Sequence, residues 1–346
     1  MKRILIFFVL IIVLSLPVRA MDLSVPAVPE RAEKFMPVDG KNFTEDLLSI
    51  LRDALLHIRP DLKEASGICI CLTALMLITS ILRSFPGAAE KTVNLTSAVT
   101  IALMLLNSTG SLINLASTTV REISEYGKLL LPVMTAAMAG QGGVTTSAAL
   151  YAGTAIFNAL LTSVIGKMLI PLVYFFIFLA VASSAVGNET LKKMRNTIKQ
   201  VVTWSLKTIL YIYTGYIGIT GIISGATDAA AIKATKLTIS SVVPVVGSIL
   251  ADASEAILVS ASTIKNAAGI YGFYAIIAIW IGPFLEIGSH YILLKATGAL
   301  CSTFSNKSST ELMDDYSSAL GLLLAMTGAN CLMLLISLVC FLKGVG

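Results

Sequence analysis

Charge is scarce in this chain. Only 13% of its 346 residues are Asp, Glu, Lys or Arg and 56% are hydrophobic, where an ordinary soluble domain has about 25% and 45–50%. With a mean hydropathy of +0.85, the composition excludes a cytosolic globular enzyme. The charges are also unevenly spread: Lys2, Arg3 and Arg19 fall in the first twenty residues, fifteen more crowd residues 21–64, and 27 serve the remaining 282. A short polar segment therefore precedes a large membrane domain. The net charge of +5 is too small and too scattered to argue for a nucleic-acid partner.

Soft metal ligands are nearly as rare. There are two histidines, and the five cysteines (Cys69, Cys71, Cys301, Cys331, Cys340) lie in or beside apolar runs without C-x-x-C spacing. They read as small buried hydrophobes, neither a zinc site nor a disulfide framework. Gly140-Gln141-Gly142-Gly143 is glycine-rich but lacks the Lys-Ser/Thr of a phosphate-binding loop. No serine, cysteine or carboxylate pair stands at catalytic spacing from a base. The residues point to no enzyme and to no cofactor.

What is present begins with a leader. Met1-Lys2-Arg3 is positive, Ile4 to Leu16 is an apolar core, and Pro17-Val18-Arg19-Ala20 supplies a helix breaker before a small-residue site. Residues 1–20 read as a secretory signal peptide cleaved after Ala20, with an uncleaved anchor as the competing reading because of Arg19. Either way, residue 21 begins outside the cytoplasm. Residues 21–42, with Pro26, Pro29 and Pro37 among charges, read as an extended or disordered strap. From Thr44, Leu47, Leu48, Leu51, Ala54, Leu55 and Ile58 recur at helical spacing opposite Glu45, Arg52 and Arg59. One such amphipathic helix cannot bury its own stripe, so Leu48, Leu51 and Leu55 are expected to meet the membrane surface or a partner protein.

The chain divides into the leader, an extracytoplasmic segment at 21–64 and a polytopic membrane domain at 65–346. A crossing helix needs about 20 apolar residues, which predicts spans at 65–82, 92–120, 168–187, 208–227, 266–285 and 317–342. Asn107, Ser108, Thr109, Gly110, Ser111 and Asn114 inside the second run suggest packing on other helices rather than on lipid alone. Residues 129–166 carry no charge, too many for one crossing and few for two. Their glycine-rich middle reads as a helical hairpin or re-entrant pair broken at Gly140, Gln141, Gly142 and Gly143, whose backbone must be buried or line a polar cavity. The basic cluster from Lys192 to Lys207 should be cytoplasmic, which requires the hairpin to enter and leave on one side.

Residues 229–265 read either as interfacial amphipathic helices or as a second re-entrant element. Residues 287–306 form a further candidate span, which would place Glu311, Asp314 and Asp315 outside. The expected fold is an all-α polytopic integral membrane protein with about seven or eight segments, including the broken hairpin, behind a short extracytoplasmic amphipathic segment.

Glu286 and His290 share one helical face in an apolar stretch. Intramembrane ionisable groups suggest an ion or proton relay; the plainer reading ends a span at Glu286, with Pro283 beside it. Gly215, Gly218, Gly221 and Gly225 lie at three- and four-residue spacing and are expected to clear a groove for close helix approach, a conduction path being the alternative.

Two stretches carry a resemblance. Leu129-Leu130-Leu131-Pro132-Val133-Met134-Thr135 runs on through Gly142-Gly143-Val144 to Tyr151, and Ser240-Ser241-Val242-Val243-Pro244-Val245-Val246-Gly247 is followed by Lys265-Asn266-Ala267-Ala268-Gly269. With the order of leader, polar segment and multiple spans, the chain resembles stage III sporulation protein AE of endospore-forming Firmicutes over almost its full length. The resemblance implies a multi-pass protein of the mother-cell membrane around the forespore, within a secretion-like complex linking the two cells. It also implies partners: ring-forming extracytoplasmic proteins, a cytoplasmic secretion-type ATPase, small membrane proteins and a forespore-side protein, besides the lipid bilayer itself. The family supplies no enzymatic residues to transfer. Two functions stay open: a non-enzymatic platform or conduit, and a secondary transporter using 140–147 with Glu286 and His290. Many transporters carry two internal repeats, and no convincing repeat is found here.

Overall fold

A computed structural model describes the backbone of residues 26–37, 43–85, 90–242 and 247–343, and the side chains of these outside 90–91 and 221–265. The leader at 1–20 lies outside the described residues, as do the side chains of 229–265. Every regular element among the described residues is helical. In chain order they are α1 (Glu30–Glu33), α2 (Phe43–His57), α3 (Arg59–Arg83), α4 (Glu90–Gly140), α5 (Val144–Val164), a π turn (Ile165–Leu169), α6 (Ile170–Val186), α7 (Glu189–Val242), α8 (Gly247–Cys301) and α9 (Lys307–Lys343).

Several of these helices are far longer than the predicted spans. α4 has 51 residues, α7 54 and α8 55, so at 1.5 Å per residue each extends roughly 76–83 Å, more than twice the ~30 Å of bilayer hydrocarbon. Five helices among the described residues are long and apolar enough to cross a membrane, namely Arg59–Arg83, Thr92–Gly140, Val144–Val186, Asn266–Cys301 and Lys307–Lys343. The predicted segments at 266–285 and 287–306 fall on one helix, which ends at Cys301, and the basic cluster from Lys192 to Lys207 lies in the N-terminal part of α7. The reason is that charges do not end helices. Glu, Lys and Arg are good helix formers, so α4 continues through Arg121, Glu122, Glu125 and Lys128, and α8 through Glu286 and Lys295.

Prolines do not end them either. Pro132 and Pro283 sit inside α4 and α8, each removing one backbone donor, a loss a packed helix tolerates. Between α5 and α6 the chain widens instead: the Ile170 N–H bonds the Ile165 carbonyl, and Pro171 follows immediately. Without this π turn, Pro171 would clash with the carbonyl one turn earlier. The chain does reverse at Gln141-Gly142-Gly143, where Gly142 takes φ 93° and its N–H bonds the Ala139 carbonyl at 2.9 Å. A side chain at that φ would be strained. α4 and α5 pack against each other on either side of this turn.

Hydrogen bonds fix the register of the bundle. At one end, here called proximal, Ser80 Oγ donates to the Phe304 carbonyl at 2.7 Å, Asn306 Nδ2 to Asn94 Oδ1 at 2.6 Å, and Ser184 Oγ lies 2.9 Å from Ser308 Oγ. At mid-length, Arg31 reaches Glu122 at 2.8 Å and Phe35 packs over Gly282. Towards the distal end, Leu130 lies on Gly272 and Leu342 on Gly269. The interior is locked by polar groups rather than by apolar contact alone. Thr154 Oγ1 is 3.2 Å from Tyr213 Oη and 2.8 Å from Ser337 Oγ, joining α5, α7 and α9. Asn158 and Asn330 donate to the backbone carbonyls of Ser124 and Val120 on α4.

The N-terminal segment is docked on this bundle. Residues 30–33, read as part of an extended or disordered strap, form a helical turn with Ala32 and Phe35 buried. α2 lies on α8 through buried Ile50 and Ala54, and Tyr274 Oη donates to buried Asp46 at 3.1 Å. Its stripe is thus partly covered by the chain's own α8.

Of the four glycines the sequence suggested for close approach, the two whose surroundings are described meet no neighbour. Nothing lies within 4 Å of a Cβ built on Gly215 or Gly218, and the surroundings of Gly221 and Gly225 lie outside the described residues. A Cβ on Gly153 would instead stand 1.9 Å from the Tyr216 ring, and the Tyr216 hydroxyl is fixed by its 2.8 Å bond to the Ala149 carbonyl. Gly153→Ala is therefore expected to destabilise the detergent-purified protein by about 1–3 kcal/mol through overpacking, seen as a lower thermal midpoint. Gly218→Ala should leave the midpoint unchanged or raise it.

Candidate functional site

The first surface of interest runs along α4. Asn107, Ser111, Asn114, Thr118, Arg121, Glu125 and Lys128 follow one another at alternating spacings of four and three. That 3.5-residue period places them along one seam of the helix. All are exposed except Thr118, which is half-buried. From Asn107 to Lys128 the seam is about 30 Å long by helix rise. Asn107, Ser111 and Asn114, expected to pack on other helices, are exposed, although Thr109 beside them is buried. Bare amides and hydroxyls facing lipid are costly, so such a seam is suited to another protein surface or to water. The alternating spacing was readable in the sequence; the exposure was not.

The second lies at the proximal end, where α7, α8 and α9 meet. Arg195 and Asp315, both largely buried, form an ion pair, and Lys295 pairs with Asp314. Lys192 Nζ lies 3.0 Å from Glu311 and 3.1 Å from Glu189, and these bonds hold its ammonium pKa above the ordinary lysine value. Lys199 Nζ donates to Ser318 Oγ at 3.1 Å. Contrary to the expectation that Glu311, Asp314 and Asp315 face away from the basic cluster, the two sets share one end of the bundle. The cause is α8, which runs unbroken to Cys301 and brings the start of α9 beside the start of α7.

The third lies at mid-length. Arg31, His57, Asp61 and Glu286 line a small cavity of about 100 Å³. His290 is buried, and its Nδ1 lies 3.0 Å from the Glu286 backbone carbonyl. The bond is to the carbonyl and not to the carboxylate, whose charged neighbours are Asp61, His290, Arg31 and Glu64. The structure does not bring this pair to the glycine turn. Gly272, which faces Leu130, is already about 20 Å of helix rise from Glu286, and the turn at 141–143 is three further turns along α4. On α2, Leu48 (58%), Leu51 (41%) and Leu55 (50%) remain exposed, so docking on α8 covers only the Ile50 and Ala54 side of the stripe.

An all-helical bundle with several helices long and apolar enough to cross a bilayer defines a polytopic membrane protein. The chain belongs to the stage III sporulation protein AE family, whose sequence profile matches residues 22–344. It is 21% identical over 307 residues to the stage III sporulation protein AE of Bacillus subtilis (strain 168), covering 88% of this chain and 77% of that one. No solved structure matches it.

The proximal pairing gives a direct test. Arg195→Ala leaves a buried Asp315 unpaired and should cost about 3–5 kcal/mol, while Arg195→Met with Asp315→Leu should lie close to wild type. Unfolding in detergent measures both. Cysteines placed at Lys192 and Glu311 in a cysteine-free background should react with an impermeant thiol reagent from the same side of the membrane.

Proposed function

We propose that this protein is a non-enzymatic platform or conduit in the secretion-like complex that connects mother cell and forespore. It would lie in the mother-cell membrane around the forespore, with its N-terminus extracytoplasmic. The observation that carries the reading is the exposed polar seam of α4. A row of uncharged polar groups from Asn107 to Thr118, continued by Arg121, Glu125 and Lys128, is unsuited to lipid and suited to neighbouring protein or a hydrated path. Membership of a stage III sporulation family places the reading in sporulation. The exposed Leu48, Leu51 and Leu55 offer a second surface, apolar and extracytoplasmic in this reading, for the ring-forming proteins. The basic half of α7 would face the mother-cell cytoplasm and the secretion-type ATPase.

The transporter reading asked residues 140–147 and Glu286 with His290 to form one site. Their separation along the bundle supports the platform reading over this alternative.

Deleting the gene should leave vegetative growth normal and stall sporulation after engulfment, with late forespore gene expression lost. Asn107→Leu with Asn114→Leu should reproduce the arrest at normal protein level, and so should charged residues at Leu48, Leu51 and Leu55. Glu286→Gln and His290→Ala should sporulate normally. Arrest by either of these last two, with normal protein level and partner pull-down, would favour proton-coupled transport and overturn the platform.

A further inference from the structure

The proximal end holds a cavity of about 570 Å³ between α7, α8 and the first turns of α9. Its lining is chemically divided. One wall is the apolar α8 surface of Leu294, Gly298 and Ala299, flanked on the same helix by exposed Ile292 and Leu300. The other walls carry charge of both signs: Arg195, Lys295 and Lys307 against Glu311, Asp314 and Asp315. The two sets balance, so the cavity as a whole selects neither a pure anion nor a pure cation.

Two of the residues that line it carry buried donors without an acceptor. Arg195 is nine-tenths buried and gives Nη1 to Asp315, yet its Nε is buried with no partner among the described residues. Ser305 Oγ is likewise buried and unpaired. Buried donors of this kind cost free energy unless an acceptor arrives. On the other side, Asp314 is half-exposed and bound only by the flexible Lys295, leaving carboxylate lone pairs to accept from an incoming ammonium.

Two observations locate the cavity at a membrane boundary. The uncharged stretch 65–82 of α3 ends at Arg83, beside Ser80 and Phe304. The uncharged stretch 168–186, which includes all of α6, has Ser184 near its end, beside Ser308. An apolar groove rising from a neutral pocket with orphaned donors and spare carboxylates matches a molecule with a phosphate, a primary amine and hydrocarbon tails.

We propose that this cavity binds the zwitterionic headgroup of an aminophospholipid, the phosphate accepting from Arg195 Nε and Ser305 Oγ and the ammonium donating to Asp314, with an acyl chain along Leu294, Gly298 and Ala299. The site is independent of the platform reading, since it requires only that the proximal end lie at the bilayer surface.

The test is native mass spectrometry of the full-length protein in detergent, titrated separately with dioleoyl phosphatidylethanolamine, phosphatidylcholine and phosphatidylglycerol. The ethanolamine lipid should be retained about tenfold better than either other lipid, the difference expected from charge-assisted hydrogen bonds present in one case only. Ser305→Ala and Asp314→Asn should each lower that preference several-fold while thermal unfolding and gel-filtration profiles stay as in wild type. Equal retention of the three lipids, or a preference unchanged in both variants, overturns the proposal. Free phosphoethanolamine distinguishes the source: displacement of the lipid only at millimolar excess supports a lipid site. Tight binding of free phosphoethanolamine without lipid retention would reassign the cavity to a soluble zwitterion and overturn the lipid assignment.

Discussion

The arrangement of the proximal end depends on the ion pair between Arg195 and Asp315. Both partners are largely buried, and separating them would leave a buried charge without its partner. Because the two helices are joined at their N-terminal thirds, α7 and α9 must start at the same end of the bundle. With α8 unbroken before α9, the positions of α3, α4 and α6 at that end then follow through the Ser80, Asn94 and Ser184 hydrogen bonds. The acidic start of α9 is thereby tied to the basic half of α7, and the positive-inside rule must be applied to this end as a neutralised whole.

Helix length is the second governing fact. Elements of 51–55 residues cannot be enclosed by one bilayer, and the charges at mid-length (Arg31, Asp61, Glu122, Glu286) divide the bundle into two apolar stretches. In the distal stretch, interior polar groups pair across helices: Thr154 with Tyr213 and Ser337, Asn158 and Asn330 with α4 carbonyls. These bonds hold helices together where lipid offers no hydrophobic contrast. The seam from Asn107 to Lys128 is the exception, polar groups turned outward on a helix whose opposite side is well packed.

Much of the architecture was legible. An all-helical membrane fold follows from long uncharged runs, and the turn at Gln141-Gly142-Gly143 follows from residues that are poor in helices and able to adopt positive φ. The amphipathic character of α2 was also visible, but not that Ile50, Ala54 and Asp46 would find α8 within the same chain. Span boundaries were misread wherever a charge was taken for a helix end, as at Glu286 and in the stretch from Arg121 to Lys128. Hydropathy reports what a residue costs in lipid, whereas helix continuation depends on backbone geometry and neighbours. Gly153 and Gly215 illustrate the same limit. Gly215 looks like a close-approach position in sequence and meets no neighbour, whereas Gly153, which the spacing did not single out, receives the Tyr216 ring.

The docking of the N-terminal segment has a consequence for the order of events during synthesis. Phe35 needs Gly282, and Asp46 needs Tyr274, so the part of the chain that leaves the ribosome first makes its contacts with a helix made more than 200 residues later. At about 5–20 residues per second, that is a wait of roughly 10–45 s. During this interval α2 carries its full apolar stripe uncovered, and Ile50 and Ala54 are as available to an outside surface as Leu48 and Leu51. Whatever shields the segment then must release it when α8 arrives, which makes completion of α8 a checkpoint for the beginning of the chain.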